Sequence, residues 1–181
     1  MVLVTGATGI VGRCVVAWLV ARGIAVKAAT RRPSEWSLEG AKAARFDWTD
    51  SGTWRDALAE VDALVLIRPQ VLAGGEDAVL GLATMAARAG CRRMVFVSGA
   101  RIGAGEDARI EDNLRRLQVS WTFLRSGVYF QSLLDRHLPD LREGLLEVPA
   151  AKAKIPWVDA RDVGEAVGRT LLDGIWEHRT P

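Results

Sequence analysis

The segment Val4-Thr5-Gly6-Ala7-Thr8-Gly9-Ile10-Val11-Gly12 constrains this chain more than any other, because it sets three glycines between an apolar run and a helical pattern. Residues 2–5 form the short apolar run of a buried strand. Val11, Val15, Trp18 and Leu19 then recur at helical spacing until Gly23, a residue suited to the position just past a helix end. Only a tight turn fits between the two. Glycines let an anion approach such a backbone closely, and the helix behind it offers free N–H groups and the positive end of its dipole. Thr8 adds a hydroxyl donor. With strand, turn and helix in this order the segment reads as a pyrophosphate seat; a glycine turn kept only for packing is the alternative.

The alternation of short β-branched runs with longer helical stretches continues along the chain. Strands are expected at residues 24–29, 43–46, 64–67, 93–98 and 120–124, and helices at 53–59, 77–89, 106–117, 129–137 and 160–172, the last introduced by Pro156-Trp157-Val158-Asp159. The fold class is therefore α/β, a doubly wound parallel sheet of about six strands with helices on both faces. A length of 181 residues, 49% of them hydrophobic, suits a single domain over residues 1–181.

Charge and composition narrow the partners. Lys and Arg number 24 against 22 acidic residues, a net charge of +2, which gives no field of the kind nucleic acid or an anionic membrane needs. The doublets Arg92-Arg93 and Arg115-Arg116 read as solvated faces. Cys14 and Cys91 lie in or beside apolar segments and read as small buried thiols in a reducing compartment. His137 and His178 have no neighbouring Cys/Asp/Glu array at ligand spacing, so no metal is expected. No apolar stretch approaches the length of about 20 residues that spans a bilayer, and the chain reads as soluble and cytoplasmic.

The end of the second strand decides which dinucleotide the turn suits. An acid there serves the adenosine ribose of NAD, whereas a basic residue accommodates the 2′-phosphate of NADP. The chain has Thr30-Arg31-Arg32. An Arg fork can donate two hydrogen bonds to a phosphate and its face can stack on adenine, so NADPH is favoured over NADH. A solvated loop pair is the competing reading. Asp47, with Trp48 beside it, follows the third strand and is placed to accept from the adenine amino group, unless it serves only as a turn cap.

These residues carry a family resemblance. Residues 4–12, Thr30-Arg31-Arg32-Pro33, Phe46-Asp47-Trp48-Thr49-Asp50 and Val61-Asp62-Ala63-Leu64 resemble the NmrA-like group of atypical short-chain dehydrogenase/reductases. The likeness continues through Ala89-Gly90-Cys91-Arg92-Arg93-Met94-Val95-Phe96-Val97-Ser98, Trp121-Thr122-Phe123-Leu124-Arg125-Ser126-Gly127 and Pro156-Trp157-Val158-Asp159-Ala160-Arg161-Asp162-Val163, covering nearly the whole chain. The resemblance implies a Rossmann-like domain with dinucleotide contacts at Gly6, Thr8, Gly9, Ile10, Arg31 and Asp47, and the neighbouring Gly12, Arg32 and Trp48 are expected to join the cofactor-binding set. The resemblance implies further contacts at Ile67, Arg68 and Ser98, where strands four and five end.

Two departures bear on activity. The Tyr-x-x-x-Lys pair of most short-chain dehydrogenases is missing: Tyr129 is the only tyrosine, and Leu133 stands four residues later. A tyrosine near its reference pKa of about 10 is a poor acid or base at neutral pH without such a lysine. Tyr129 and Ser98 are the candidate catalytic residues, each with an ordinary structural alternative, a half-buried aromatic and a strand-end turn residue. The group also usually continues with a small substrate-covering lobe after the helix that here ends near Leu172. A short form leaves the nicotinamide end less enclosed and would uncover Trp157, Trp176 and their apolar neighbours, a surface for a homodimer or other partner. The leading expectation is an NAD(P)H-dependent reductase of a small metabolite, aromatic or quinone-like. The alternatives are a non-catalytic NAD(P) redox sensor and a member recruited for isomerisation or cyclisation.

Overall fold

The structure is a computed structural model that describes residues 1–69, 72–99, 105–136, 138–144, 154–173 and 178–180. Its backbone follows the expected alternation: β1 (Val2–Val4), α1 (Ile10–Val20), β2 (Val26–Thr30), β3 (Ala41–Arg45), α2 (Trp54–Leu58), β4 (Ala63–Leu66), α3 (Gly75–Arg88), β5 (Arg93–Gly99), α4 (Glu106–Leu114) and β6 (Ser120–Ser126). Six parallel strands form one sheet in the order β3-β2-β1-β4-β5-β6. The chain runs outward from β1 in one direction and returns to start outward from β4 in the other. That reversal lies between β1 and β4, where Val2 is paired with both Val26 and Ala63.

Period-two alternation explains why both faces of the sheet carry helices. Leu3, Leu64, Leu66, Met94 and Phe96 point to one face and pack with Trp54, Leu82, Ile110 and Leu114 of α2, α3 and α4. Their neighbours Val4, Val65, Val95 and Val97 point to the other face, where Val15 and Leu19 of α1 meet Val163 and Val167 of α7 (Ala160–Asp173). Strands buried on both sides have no polar face to show, which is why they read as continuous apolar runs.

Beyond β6 the structure departs from the expected helix over 129–137. Val128–Tyr129 form a short strand, β7, paired in parallel with β8 (Trp157–Val158), and a shorter helix, α5 (Gln131–Arg136), follows before α6 (Leu138–Arg142). The segment before α7 is thus a strand rather than only a helix lead-in. Gly127 permits this approach, since a Cβ there would lie 1.9 Å from the Pro156 carbonyl oxygen. Gln131 donates to Asp159 (2.7 Å) and accepts from the Ala160 N–H (3.0 Å), tying α5 to the start of α7. At the outer edge of β6, His178 donates its backbone N–H to Trp121 (2.7 Å) and Arg179 accepts from Phe123 (3.2 Å).

Several readings of side chains change, and half-buried Arg93, expected on a solvated face, donates to the Leu171 carbonyl. Arg115 is not a simple solvated residue: it pairs with Asp112 (2.6 Å) and sits over the Phe123 ring at 4.8 Å. Cys91 is buried as expected, while Cys14 is half-buried between α1 and α7. His137 and Trp176, and with Trp176 half of the anticipated aromatic patch, lie outside the described residues. Among the described residues no helix is long and apolar enough to cross a membrane.

Candidate functional site

In an open parallel sheet, ligands bind outside the carboxyl ends of the strands where the strand order reverses. Here that place is the end of β1 and β4, and Thr5 locks it. The Thr5 hydroxyl bridges to the Val65 and Ile67 carbonyls (both 3.1 Å) and accepts from the Ile67 N–H (2.8 Å).

The glycine turn follows directly. Gly6 has φ +59°, and a Cβ on it would lie 2.8 Å from the Ile67 carbonyl oxygen. Gly12 is needed for proximity rather than for its dihedrals, because a Cβ there would stand 2.1 Å from the Gly6 carbonyl oxygen. The Gly9 N–H donates to Gly6 (2.9 Å) and closes the turn, and Arg13 Nε braces it from outside on the Thr8 carbonyl (3.1 Å). Gly9 caps α1 with no side-chain hydrogen bond and there is no acidic residue in the first turn. The first N–H groups of α1 therefore face outward with neither a side-chain acceptor nor a fixed negative charge to satisfy them, which is the arrangement an anion completes.

A cleft of about 440 Å³ opens here, within the range of small-molecule sites. It brings together Gly9, Ile10, Gly12, Ile67, Arg68, Ser98 and Tyr129 from the expected set, with Ser126, Gly127 and Ser132 added. A larger groove of about 750 Å³ runs past Gly90, Arg92 and Trp121. It lies at the amino ends of β5 and β6, away from the reversal, and has no comparable donor array.

Arg31, Arg32, Asp47 and Trp48 stand outside the cleft at the carboxyl ends of β2 and β3, the side on which an adenosine half would extend. Arg31 has no hydrogen bond or ion pair among the described residues, whereas exposed Arg32 is held by Glu35 (3.1 and 3.2 Å). The doublet thus divides into one free fork and one engaged one. The Asp47 carboxyl accepts from both the backbone N–H and the hydroxyl of Thr49 (2.9 and 2.8 Å), which with the nearby Arg31 and Arg45 hold it below its ordinary pKa. The Trp48 side chain is turned into the core, edge-on to Phe46 at 5.1 Å.

At the strand-four and strand-five side the polar groups are largely committed to each other. Arg68 donates to Asp107 (3.0 and 2.6 Å) and pairs with Glu106 (3.0 Å), and Asp107 also accepts from the Gly99 N–H (2.8 Å). This network fixes the ends of β4 and β5 against the start of α4. Ser98 is buried and donates its hydroxyl to Glu111 (2.8 Å), a fully buried carboxylate that also receives Arg125 (3.0 and 2.6 Å).

Tyr129 occupies the far end of the cleft. Its hydroxyl is in a short hydrogen bond with Ser126 Oγ, burial pushes its pKa up, and the Ser126 contact partly offsets that rise. Ser126 carries no role in the sequence reading. A hydroxyl at the end of a strand, three residues before the only tyrosine, is the signal that could have pointed to it.

Comparison with known proteins agrees with this fold. The profile of the NmrA-like family matches residues 1–178. An NAD(P)H azoreductase of Xenophilus azovorans is 30% identical over 94% of this chain and 63% of its own length. The chain spans less than two thirds of that relative. Among solved structures, an NADPH-dependent quinone oxidoreductase of Escherichia coli, complexed with NADPH, superposes with TM-score 0.83 at 22% identity, over the whole of this chain and 68% of that one. A triphenylmethane reductase of Citrobacter complexed with NADP(H) gives 0.82 at 20% identity, covering 99% and 68%.

Proposed function

Because this chain belongs to the NmrA-like family, we propose that it is an NAD(P)H-dependent reductase of a small metabolite, with NADPH preferred and aromatic or quinone-like compounds as the substrate class. The observation that carries the reading is the uncapped start of α1 above a turn whose Gly6 and Gly12 have no room for a Cβ, opening into the cleft at the sheet reversal. The donor set fits a dinucleotide: N–H groups of Ile10 to Gly12 for the pyrophosphate, the free Arg31 fork for a 2′-phosphate, and Asp47 beside it for the adenine.

Reduced nicotinamide supplies the hydride in such a site, and the protein's part is binding, orientation and exclusion of water. The backbone of Ile67 and Arg68 walls one side of the cleft, held by the Asp107 network. Ser98 shapes the floor through Glu111. The azoreductase and quinone oxidoreductase named above act on conjugated acceptors by their names, which is what supports the same class here. Exposed Val128 lines the cleft, and exposed Phe130 next to Tyr129 stacks on Trp157 at 5.6 Å; these apolar residues form the surface a homodimer would use. Two free cysteines suit the reducing cytoplasm.

Titration with NADPH and NADH, read by tryptophan fluorescence, tests the proposal. Saturable quenching is expected, tighter for NADPH; no response at high micromolar concentration overturns it. One observation favours a second reading, a redox sensor without turnover: Leu133 stands where a lysine would complete a proton-transfer pair with Tyr129. Tight NADPH binding with no turnover of quinones, aldehydes or imines would select the sensor.

A further inference from the structure

Among the side chains of the cleft, one hydrogen-bond donor is left over. Four hydroxyls line it: Ser98, Ser126, Tyr129 and Ser132. Ser98 gives its hydrogen to Glu111 (2.8 Å) and Ser132 gives its own to the Tyr129 carbonyl (2.6 Å). Arg68 forks onto Asp107 and reaches the Pro69 carbonyl (3.2 Å). Ser126 and Tyr129 share one short bond, in which either oxygen can donate, so the pair holds two hydrogens and uses one. The second has only the Ser98 carbonyl at 3.5 Å from Ser126 Oγ, the long limit of a hydrogen bond.

We propose that Tyr129 is the hydrogen-bond donor that receives a carbonyl or quinone oxygen of the substrate, and that Ser126 is the residue that positions it. The proposal rests on the reductase reading. In the resting cleft the chain runs from the Tyr129 hydroxyl to Ser126 and on to the Ser98 carbonyl. When an acceptor oxygen enters, both rotors turn: Ser126 donates to Tyr129 Oη, and the phenol hydrogen is released toward the acceptor. The new pair of bonds is favoured because it replaces the long Ser126 to Ser98 contact with one of ordinary length. Bonds in such a chain polarise one another, so donation from Ser126 makes Tyr129 the stronger donor.

The backbone keeps Tyr129 in place for this. It lies in β7 opposite Val158, flanked by the Val128 N–H to Pro156 and the Phe130 N–H to Val158 (both 3.0 Å). Ser98, in contrast, meets the cleft only as an acceptor, since its hydrogen is held by a buried carboxylate. The apolar side chains that share the cleft with Tyr129, among them Ile10, Val97 and Val128, suit an acceptor oxygen carried on a flat conjugated ring.

The protein has a single tyrosine, so ring-carbon-13 tyrosine labelling gives one NMR resonance that reports Tyr129 alone. Wild type, Ser126→Ala, Ser126→Thr and Tyr129→Phe are compared, with menadione as the quinone probe. In wild type the resonance should titrate above the ordinary tyrosine range, move to still higher pH in Ser126→Ala, and return toward wild type in Ser126→Thr. It should shift when menadione is added to NADP⁺-saturated wild type. Menadione kcat/KM should fall about tenfold in Ser126→Ala and in Tyr129→Phe, the loss of one hydrogen bond, while the NADPH Kd stays unchanged. An unmoved titration in Ser126→Ala, or parallel loss of NADPH affinity there, overturns the positioning role. A resonance indifferent to menadione, or kinetics untouched by both substitutions, overturns the substrate contact. Failure of wild type to bind NADPH removes the reductase reading instead.

Discussion

Gly12→Ala is the substitution whose cost the structure states most directly. A Cβ at this position would lie 2.1 Å from the Gly6 carbonyl oxygen and 2.7 Å from both Gly6 C and Ala7 Cα. All three neighbours are backbone atoms, so no side chain can swing aside. Reaching ordinary contact at 3.4 Å requires a retreat of about 1.3 Å, which lifts α1 from the turn or opens the turn itself. Overpacking of this kind costs about 1–3 kcal/mol, and in a domain of this size each kcal/mol moves Tm by roughly 2–4 °C, so a fall of roughly 2–12 °C is expected. Displacing the N–H groups of α1 by about an ångström should also weaken NADPH by about ten- to a hundredfold. Gly23→Ala is the control. Gly23 has φ +70° with nothing within 4 Å of where the alanine methyl would stand, so it should cost about 1–2 kcal/mol of left-handed strain and leave NADPH affinity alone. Differential scanning calorimetry and isothermal titration read both quantities. A Gly12→Ala protein with Tm within about 1 °C of wild type and an unchanged NADPH Kd would refute the account of the turn.

Arg31→Ala should raise the NADPH Kd by about ten- to a hundredfold while sparing NADH, as loss of a charged hydrogen bond does; Arg32→Ala, already paired with Glu35, should leave the ratio intact, and equal loss for both cofactors would sink the assignment. Asp107→Asn removes the carboxylate that receives Arg68 and the Gly99 N–H, and urea denaturation should show a loss of about 1–3 kcal/mol, with less than about 0.5 kcal/mol counting against the network. Burial pushes the Cys91 thiol up to about 11, so iodoacetamide at pH 8 should spare it in the folded protein and modify it in urea, as peptide mapping would show. Because the folded pKa lies above that of a free thiol near 8.5, the stability gained by burying Cys91 is complete below about that pH and is lost as pH rises through about 11.

The part of this molecule legible in the sequence is the part whose physics is local. The first strand, the turn and α1 follow from apolar spacing and from glycines at 6, 9 and 12, and the structure supplies the contact distances that require two of them. Tyr129 reads as the start of a helix because a two-residue strand has no periodicity to detect. Its partner, Trp157–Val158, is 29 residues away along the chain. The same holds for the charges. Arg68 is placed correctly at the end of the fourth strand by sequence, but its commitment to Asp107 is a contact 39 residues apart. Ser98 reads as a candidate catalytic hydroxyl or a strand-end turn residue until the fold brings Glu111, on the next helix, to hold its hydrogen. A strand-end serine such as Ser126 has many ordinary uses, and only the fold carries its oxygen to Tyr129. Arg31 and Arg32 are indistinguishable as a doublet, and it is the turn to Glu35 that separates them.

The central claim is that the cleft at the sheet reversal seats a dinucleotide with its pyrophosphate on the start of α1. A crystal structure of the protein with NADPH tests it most directly. The account predicts pyrophosphate density against the N–H groups following Gly9, the 2′-phosphate at Arg31 and the nicotinamide directed toward Tyr129. Saturating NADPH with no density in this cleft, or with the cofactor seated elsewhere, would contradict it.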